Sequence, residues 1–342
     1  MNQTAFITGI SGQDGAYLAK HLLELGYKVI GGERRNASST LWRLEELGIS
    51  NDIEIVDFEL SEFTNIFRTV QKHEPNEIYN LAAQSFVAAS FEMPTMTSDV
   101  TGLGVVRILE SIRQINPSIK FYQASSSEMF GKVTQTPQNE KTLFHPRSPY
   151  GVAKLYGHWI TVNYRDSYDL FACSGILFNH ESPLRGHQFV TRKITQSLSR
   201  IKLGKQQTLQ LGNIEAKRDW GFAGDYVKGM HLMLNHTSPD DYVLATNETH
   251  TVREFIELAC KNLSIELVWE GSGVDEKGID STSGKKIIEI NPKYYRPAEV
   301  DLLLGDSSKA KKVLGWDNNT SFESLVSMMV NSDFEKEKSS NK

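Results

Sequence analysis

An α/β fold built on a doubly wound parallel sheet is what this sequence predicts, and three observations predict it. Short apolar runs recur through the first 178 residues, amphipathic runs of helical spacing lie between them, and a glycine-rich turn follows the very first run. Strands alternating with helices imply right-handed crossovers and a parallel sheet. At 342 residues, 39% hydrophobic and 23% charged, the chain has a core ample for one large domain or two. A net charge of −5 without a long Lys/Arg run argues against nucleic-acid binding. No apolar stretch of ~18 residues is present to cross a membrane, and the first residues enter a strand without a leader-like pattern. Cys173 and Cys260 are the only cysteines, which indicates no disulfide framework. A reducing, cytoplasmic setting is expected.

Residues 4–8 read as the first buried strand. Gly9, Ile10, Ser11, Gly12, Gln13, Asp14 and Gly15 then turn into the amphipathic run 16–25. Strand, glycine turn and helix in that order suit a dinucleotide in a Rossmann-like fold. The glycines admit a pyrophosphate to the backbone, and the helix start offers free N–H groups and a favourable dipole. The GxxGxxG spacing resembles that of the extended short-chain dehydrogenases; the bland alternative is a tight turn with no ligand.

The second strand, 28–31, leads into Gly32-Glu33-Arg34-Arg35. An acid here serves the ribose 2′-hydroxyl of NAD, whereas arginine suits a 2′-phosphate. Arg34 and Arg35 therefore favour NADP, and Glu33 pulls the other way. A third strand at 53–56 ends in Asp57-Phe58, placed to frame an adenine. A fourth at 77–80 precedes Leu81-Ala82-Ala83-Gln84-Ser85, small residues that permit close backbone approach to a cofactor. Residues 98–115 have helical apolar spacing, 120–124 form the fifth strand, and 170–177 form the sixth.

The fifth strand delivers Ser125-Ser126-Ser127-Glu128 to its C-terminal end, where open α/β sheets bind ligands. Ser148-Pro149 is a helix start, so Tyr150 and Lys154 share one helix face at i and i+4. Tyr150 is the only one of 12 tyrosines with lysine at that spacing. A free tyrosine titrates near 10, and a phenolate at neutral pH needs about 4 kcal/mol of stabilisation. Lys154 and an oxidised nicotinamide are the expected sources. Tyr150 then takes the proton of a sugar hydroxyl while hydride leaves the same carbon, with Ser126 holding the oxygen in line. Oxidising C4 of a hexose acidifies the C5 hydrogen, so Glu128 is suited to remove that proton and help water leave C6. An enzyme that only oxidises or epimerises has no need of this acid.

Beyond residue 177 the pattern loosens into a smaller mixed α/β lobe that binds substrate. The expected division is 1–178 for the dinucleotide-binding domain, with later segments returning to it, 179–330 mainly for the lobe, and 331–342 for a polar tail, disordered from residue 335. Three constellations suited to a diphosphate or ribose punctuate this half: residues 178–186, 217–220 and 295–301. Residues 271–286, rich in Gly, Ser and charge, are expected to be a surface loop.

Several longer runs resemble the GDP-mannose 4,6-dehydratase family of the extended short-chain dehydrogenase/reductases: residues 7–15, 80–85, 175–183, 189–194, 216–221 and 296–306. The resemblance spans residues 5–316 and implies that Ser126, Glu128, Tyr150 and Lys154 are catalytic. It further implies that the glycine turn, Arg35, Asp57, Phe58, residues 81–85, Val100, His180 and Arg185 line NADP. By the same resemblance Ser85 lies by the sugar, and Asn179, Lys193, Arg218, Arg296 and Glu299 hold the GDP moiety. It also implies a homo-oligomer, dimer or tetramer, in which residues 36–39 reach a neighbour's cofactor. No metal is called for. Three positions depart from the family pattern: Ser126 replaces threonine, Phe86 replaces histidine, and Leu184-Arg185-Gly186-His187 replaces Arg-Arg-Gly-Glu. The expected activity is NADP-dependent dehydration of GDP-mannose to its 4-keto-6-deoxy form. A GDP-heptose 4,6-dehydratase, a nucleotide-sugar epimerase or 4-keto reductase, and a non-enzymatic NADP-sensing protein are the alternatives.

Overall fold

A computed structural model describes residues 3–295 and 302–340. Its centre is a seven-stranded, wholly parallel sheet. The first six strands are β1 (Thr4–Thr8), β2 (Lys28–Glu33), β3 (Ile53–Asp57), β4 (Glu77–Asn80), β5 (Lys120–Ser126) and β6 (Ala172–Leu177). All four residues of β4 and all six of β6 are buried, as a parallel sheet covered on both faces requires. The helices between them are α1 (Gln13–Glu24), α2 (Trp42–Glu46), α3 (Phe63–His73), α4 (Val87–Glu92), α5 (Pro94–Ser98), α6 (Gly104–Ile115) and α7 (Pro149–Tyr168).

The second half begins with β7 (Asn179–Glu181), α8 (Val190–Lys202), β8 (Leu209–Leu211), β9 (Lys217–Arg218), β10 (Trp220–Phe222) and α9 (Ala223–Leu234). It continues with β11 (Asp241–Leu244), β12 (His250–Thr251), α10 (Val252–Asn262), β13 (Leu267–Glu270), β14 (Lys277–Asp280), β15 (Lys285–Ile290), α11 (Ser308–Leu314) and α12 (Phe322–Ser339). β11 returns to the main sheet and pairs with the edge of β6, giving the order β11-β6-β5-β4-β1-β2-β3. Strand order reverses between β1 and β4, and the crevice above that switch point is where such sheets take ligands. The lobe has its own four-stranded sheet, β13-β14-β15-β8, packed with α8, α10 and α12 around Ile194, Trp220, Phe255, Ile288, Leu325 and Met329.

Four expectations change. The segment 271–286 is not a single loop: residues 271–276 turn from β13 into β14, β14 pairs with β15 as a hairpin, and Gly271, Gly273 and Gly284, all at positive φ, lie in the turns. The polar tail is helical to Ser339, because α12 keeps Val330 and Asp333 buried while turning its charges to solvent. The helix expected over 98–115 runs unbroken but carries one wide turn at Asp99–Leu103, where Gly102 lies close to Ala153 of α7. Finally, β5 runs two residues further than expected, so Ser125 and Ser126 lie on the strand itself.

Candidate active site

The glycine turn is built for close approach. Gly9 has φ +68°, and a side chain there would meet the Ala82 backbone at 3.0 Å. A Cβ on Gly15 would lie 2.4 Å from the Gly9 carbonyl oxygen. Helix α1 starts after Gly12 with no side chain capping it, so its first N–H groups are open to an anion. Ile10 is fully buried beneath the turn, and the Ser11 carbonyl accepts a hydrogen bond from Arg43 at 2.8 Å.

One cleft gathers Gly9, Gly12, Gln13, Asp14, Gly15, Leu81, Ala83, Ser85, Ser126, Glu128, Tyr150, Lys154, Asn179, His180 and Arg185. The other predicted residues are not among its lining, and Asp57 lines a separate hollow beside α3. Arg34 and Arg35 are exposed beyond the end of β2, and Glu33 accepts a hydrogen bond from Thr40. Asp57 is exposed, whereas the Phe58 ring is buried against Phe6. Ala82 and Val100 pack against the core, and Gln84 is held by Thr101 and Thr97. Lys193 Nζ sits 3.8 Å over the Tyr294 ring, and Arg218 is buried on β9. Arg296 and Glu299 lie outside the described residues.

Tyr150 and Lys154 are both nearly buried, on the face of α7 that packs against the end of β5. Burial pushes the Tyr150 phenol well above its usual range; the Ser126 hydroxyl pulls it back and Glu128 pushes it further up. Lys154 is lowered to about 8 by burial. Its Nζ donates to the Ala124 carbonyl at 2.7 Å and lies 5.8 Å from the centre of the Tyr150 ring. Lys154 therefore does not by itself make a phenolate of Tyr150, because desolvation outweighs it. Glu128 follows on a short helical turn in which its own N–H donates to Ser126 Oγ at 3.2 Å, holding the Ser126 hydroxyl against the Glu128 backbone.

Asp14 and His180 join the two halves of the cleft. His180 Nε2 is 2.7 Å from Asp14 Oδ2 and Nδ1 is 2.7 Å from the Phe178 carbonyl. Both ring nitrogens face acceptors, so both donate and the ring is an imidazolium. Burial opposes that charge, but Asp14 outweighs it and raises the His180 value. Burial likewise opposes the Asp14 carboxylate, yet His180 brings it down to about 2.

Sequence reasoning missed several members. Phe189 lines the cleft under the Arg185 guanidinium, 3.6 Å from its ring centre, and touches Phe86 across the mouth at 6.2 Å. It lay within a run already singled out for its resemblance. His158 faces Ser125 Oγ at 3.1 Å from Nδ1, and its i+8 spacing from Tyr150 was the available signal. Arg43 bonds both Ser11 and Leu184 carbonyls, a role with no local signature.

Residues 6–329 match the family described as GDP-mannose 4,6 dehydratase. A GDP-mannose 4,6-dehydratase of Sinorhizobium fredii is 50% identical over 97% of this chain and 96% of its own length. The human GDP-mannose 4,6 dehydratase is 49% identical over 97% of this chain and 91% of its own. Among solved structures, a UDP-glucose 4-epimerase of Thermotoga maritima superposes with TM-score 0.82 at 21% identity, covering 98% of this chain and 99% of the other. A dTDP-glucose 4,6-dehydratase of Streptomyces venezuelae gives 0.83 at 17% identity, with 98% of each chain covered. The solved structures establish the fold, and the family match together with relatives near half identical along almost the whole length shows that this chain belongs to the GDP-mannose 4,6-dehydratase family, hydro-lyases of nucleotide sugars.

Proposed function

We propose that this chain converts GDP-mannose to GDP-4-keto-6-deoxymannose with NADP as resident cofactor. The observation that carries the proposal is a single cleft holding an uncapped glycine turn, a Tyr/Lys pair, a strand-end hydroxyl and one carboxylate. The turn fits a pyrophosphate, since Gly9, Gly12 and Gly15 line the cleft there without side chains and no side chain caps the start of α1. Arg34 and Arg35 are free in solvent at the end of β2, whereas Glu33 is engaged by Thr40, which supports a 2′-phosphate over a bare ribose. The glycine turn with Arg34 and Arg35 would hold NADP, which would supply a hydride acceptor and donor beside Tyr150 and a positive charge that favours its phenolate.

Tyr150 Oη removes the C4 hydroxyl proton, and Ser126 Oγ holds that oxygen in line. Glu128 then takes the C5 proton, which the C4 ketone has acidified, and delivers a proton to the departing C6 hydroxyl. Asn179, Lys193 and Arg218 are the residues we assign to the GDP moiety, with Arg296 and Glu299 joining them by resemblance; Lys193 stacked on Tyr294 offers a cation beside an aromatic face. On this assignment residues 179–330 supply most of the sugar-nucleotide side of the cleft.

We further propose a homo-oligomer. Val152, Tyr156 and Trp159 stand exposed at helical spacing on α7, next to Phe91, Met93 and Met96 on α4, α5 and the link between them; such a face is suited to a second copy. Both cysteines are buried and unpaired, which supports a reducing, cytoplasmic setting.

The experiment incubates the protein with GDP-mannose and reads the product by mass. Loss of one water, without net consumption of added NADPH, is expected; no reaction, or stoichiometric NADPH use, overturns the assignment. GDP-heptose in parallel tests the neighbouring substrate. In deuterated water the product should gain deuterium at C5, where Glu128 exchanges its proton with solvent.

A further inference from the structure

Beneath the cleft, three polar side chains stand at one level of the central sheet. Thr8 on β1 is in register with Asn80 on β4, and Asn80 with Gln123 on β5. None is more than 2% exposed. The Leu81 and Ala82 N–H groups donate to Thr8 Oγ1 at 3.1 and 3.0 Å, and Thr8 Oγ1 donates to Asn80 Oδ1 at 2.8 Å. Asn80 Nδ2 donates to Gln123 Oε1 at 2.8 Å, and Gln123 Nε2 to the Ala124 carbonyl at 3.1 Å. That carbonyl is also the acceptor for Lys154 Nζ.

Every bond in this line runs in one direction. The two backbone N–H groups occupy the lone pairs of the Thr8 hydroxyl, so it donates onward, and the orientation of each amide follows. An apolar side chain at position 123 would avoid the cost of burying an amide, but would leave Asn80 and Ala124 short of a partner. The line joins the backbone after β4, which the cofactor is read to approach, to the carbonyl that anchors Lys154. It serves neither the sheet ladder nor the sugar site directly.

We propose that Gln123 is a positioning residue for the Tyr150/Lys154 pair: by holding the Ala124 carbonyl from the strand side, it fixes where the Lys154 ammonium sits beneath the cleft. The direction of the Ala124 carbonyl is set by β5; with Gln123 Nε2 occupying one of its lone pairs, the Lys154 ammonium is confined to the other. The inference rests on the roles given above to Tyr150 and Lys154.

The test uses the full chain with NADP and GDP-mannose, comparing wild type, Gln123→Met, Gln123→Glu, Tyr150→Phe and Lys154→Met. The readouts are kcat, KM, cofactor affinity, thermal unfolding and the pH dependence of kcat. Gln123→Met should lower kcat about 10- to 100-fold, the scale of a small misplacement of a catalytic group, with KM little changed. The rising limb of kcat should move to higher pH, because a displaced ammonium supports the phenolate less. Gln123→Glu keeps the acceptor that Asn80 needs but, ionised, cannot donate to the Ala124 carbonyl, so its kcat should fall and its limb should move the same way. If Gln123→Met fails to fold, the limb of Gln123→Glu decides.

Wild-type kcat and pH limb in both variants would overturn the inference, as would activity lost only in step with unfolding or cofactor loss. Full activity in Tyr150→Phe or Lys154→Met would remove the roles it rests on, and the inference with them. Inactivity of those two beside wild-type behaviour of both Gln123 variants refutes the Gln123 role alone.

Discussion

On the proposed mechanism, Glu128 separates this site from a plain sugar oxidoreductase. Its replacement by glutamine keeps shape and hydrogen bonding but removes the base, so Glu128→Gln should cut dehydration by about 10²- to 10⁴-fold while cofactor affinity, read by titration, stays unchanged. The Asp14–His180 pair offers a second test. Asp14 lies below its ordinary value, so its contribution is present above about pH 4 and is lost as pH falls toward 2. His180 lies above its ordinary value, so its contribution is full below about pH 6.5 and is lost as pH rises through the raised value. The pair should therefore add on the order of 2 kcal/mol between these limits. Denaturant melts of His180→Asn against wild type across that range should show the difference shrinking at both ends. At this scale the sequence was most legible in which side chains come together, since Ser126, Glu128, Tyr150 and Lys154 line one cleft. It was least legible where a residue acts through a distant carbonyl, as Arg43 does.

Among the elements, α7 has two faces with different duties. One buries Tyr150, Lys154 and His158 against β5, and the other exposes Val152, Tyr156 and Trp159. Trp159→Glu should lower the mass measured by light scattering toward that of one chain, leaving the buried face intact. The last helix is more than a tail. Asp333 on α12 pairs with Arg192 at 2.7 Å, both side chains 2% exposed, and Arg192 in turn bonds the carbonyls of Pro183 and Arg185 at the cleft wall. Asp333→Ala strands a buried guanidinium and should cost about 3–5 kcal/mol in urea unfolding. Composition alone hid this helix, because its C-terminal turns are polar on all but the face that α8 covers. The hairpin of β14 and β15 was hidden for a similar reason: its strands are short, charged and half exposed, so no alternating pattern stands out. The first six strands of the main sheet were legible to within two residues because nothing but apolar or bonded residues fits there.

Over the whole molecule, the sheet is divided in sequence: six strands come before residue 178, and the seventh, β11, arrives after the first part of the lobe. Periodicity marks strands but not which of them pair, so the return of β11 was foreseen only in outline. It has a consequence during synthesis. Until residues 241–244 have emerged from the ribosome, β6 is an open edge of a nearly complete sheet, with Gly175, Ile176 and Leu177 exposing their backbone groups to any passing strand. At about 5–20 residues per second, the roughly sixty residues between the two strands keep that edge uncovered for seconds. The nascent chain is then most exposed to mispairing, and synthesis that stalls between β6 and β11 should release aggregating fragments, whereas a chain released after β11 should stay dispersed.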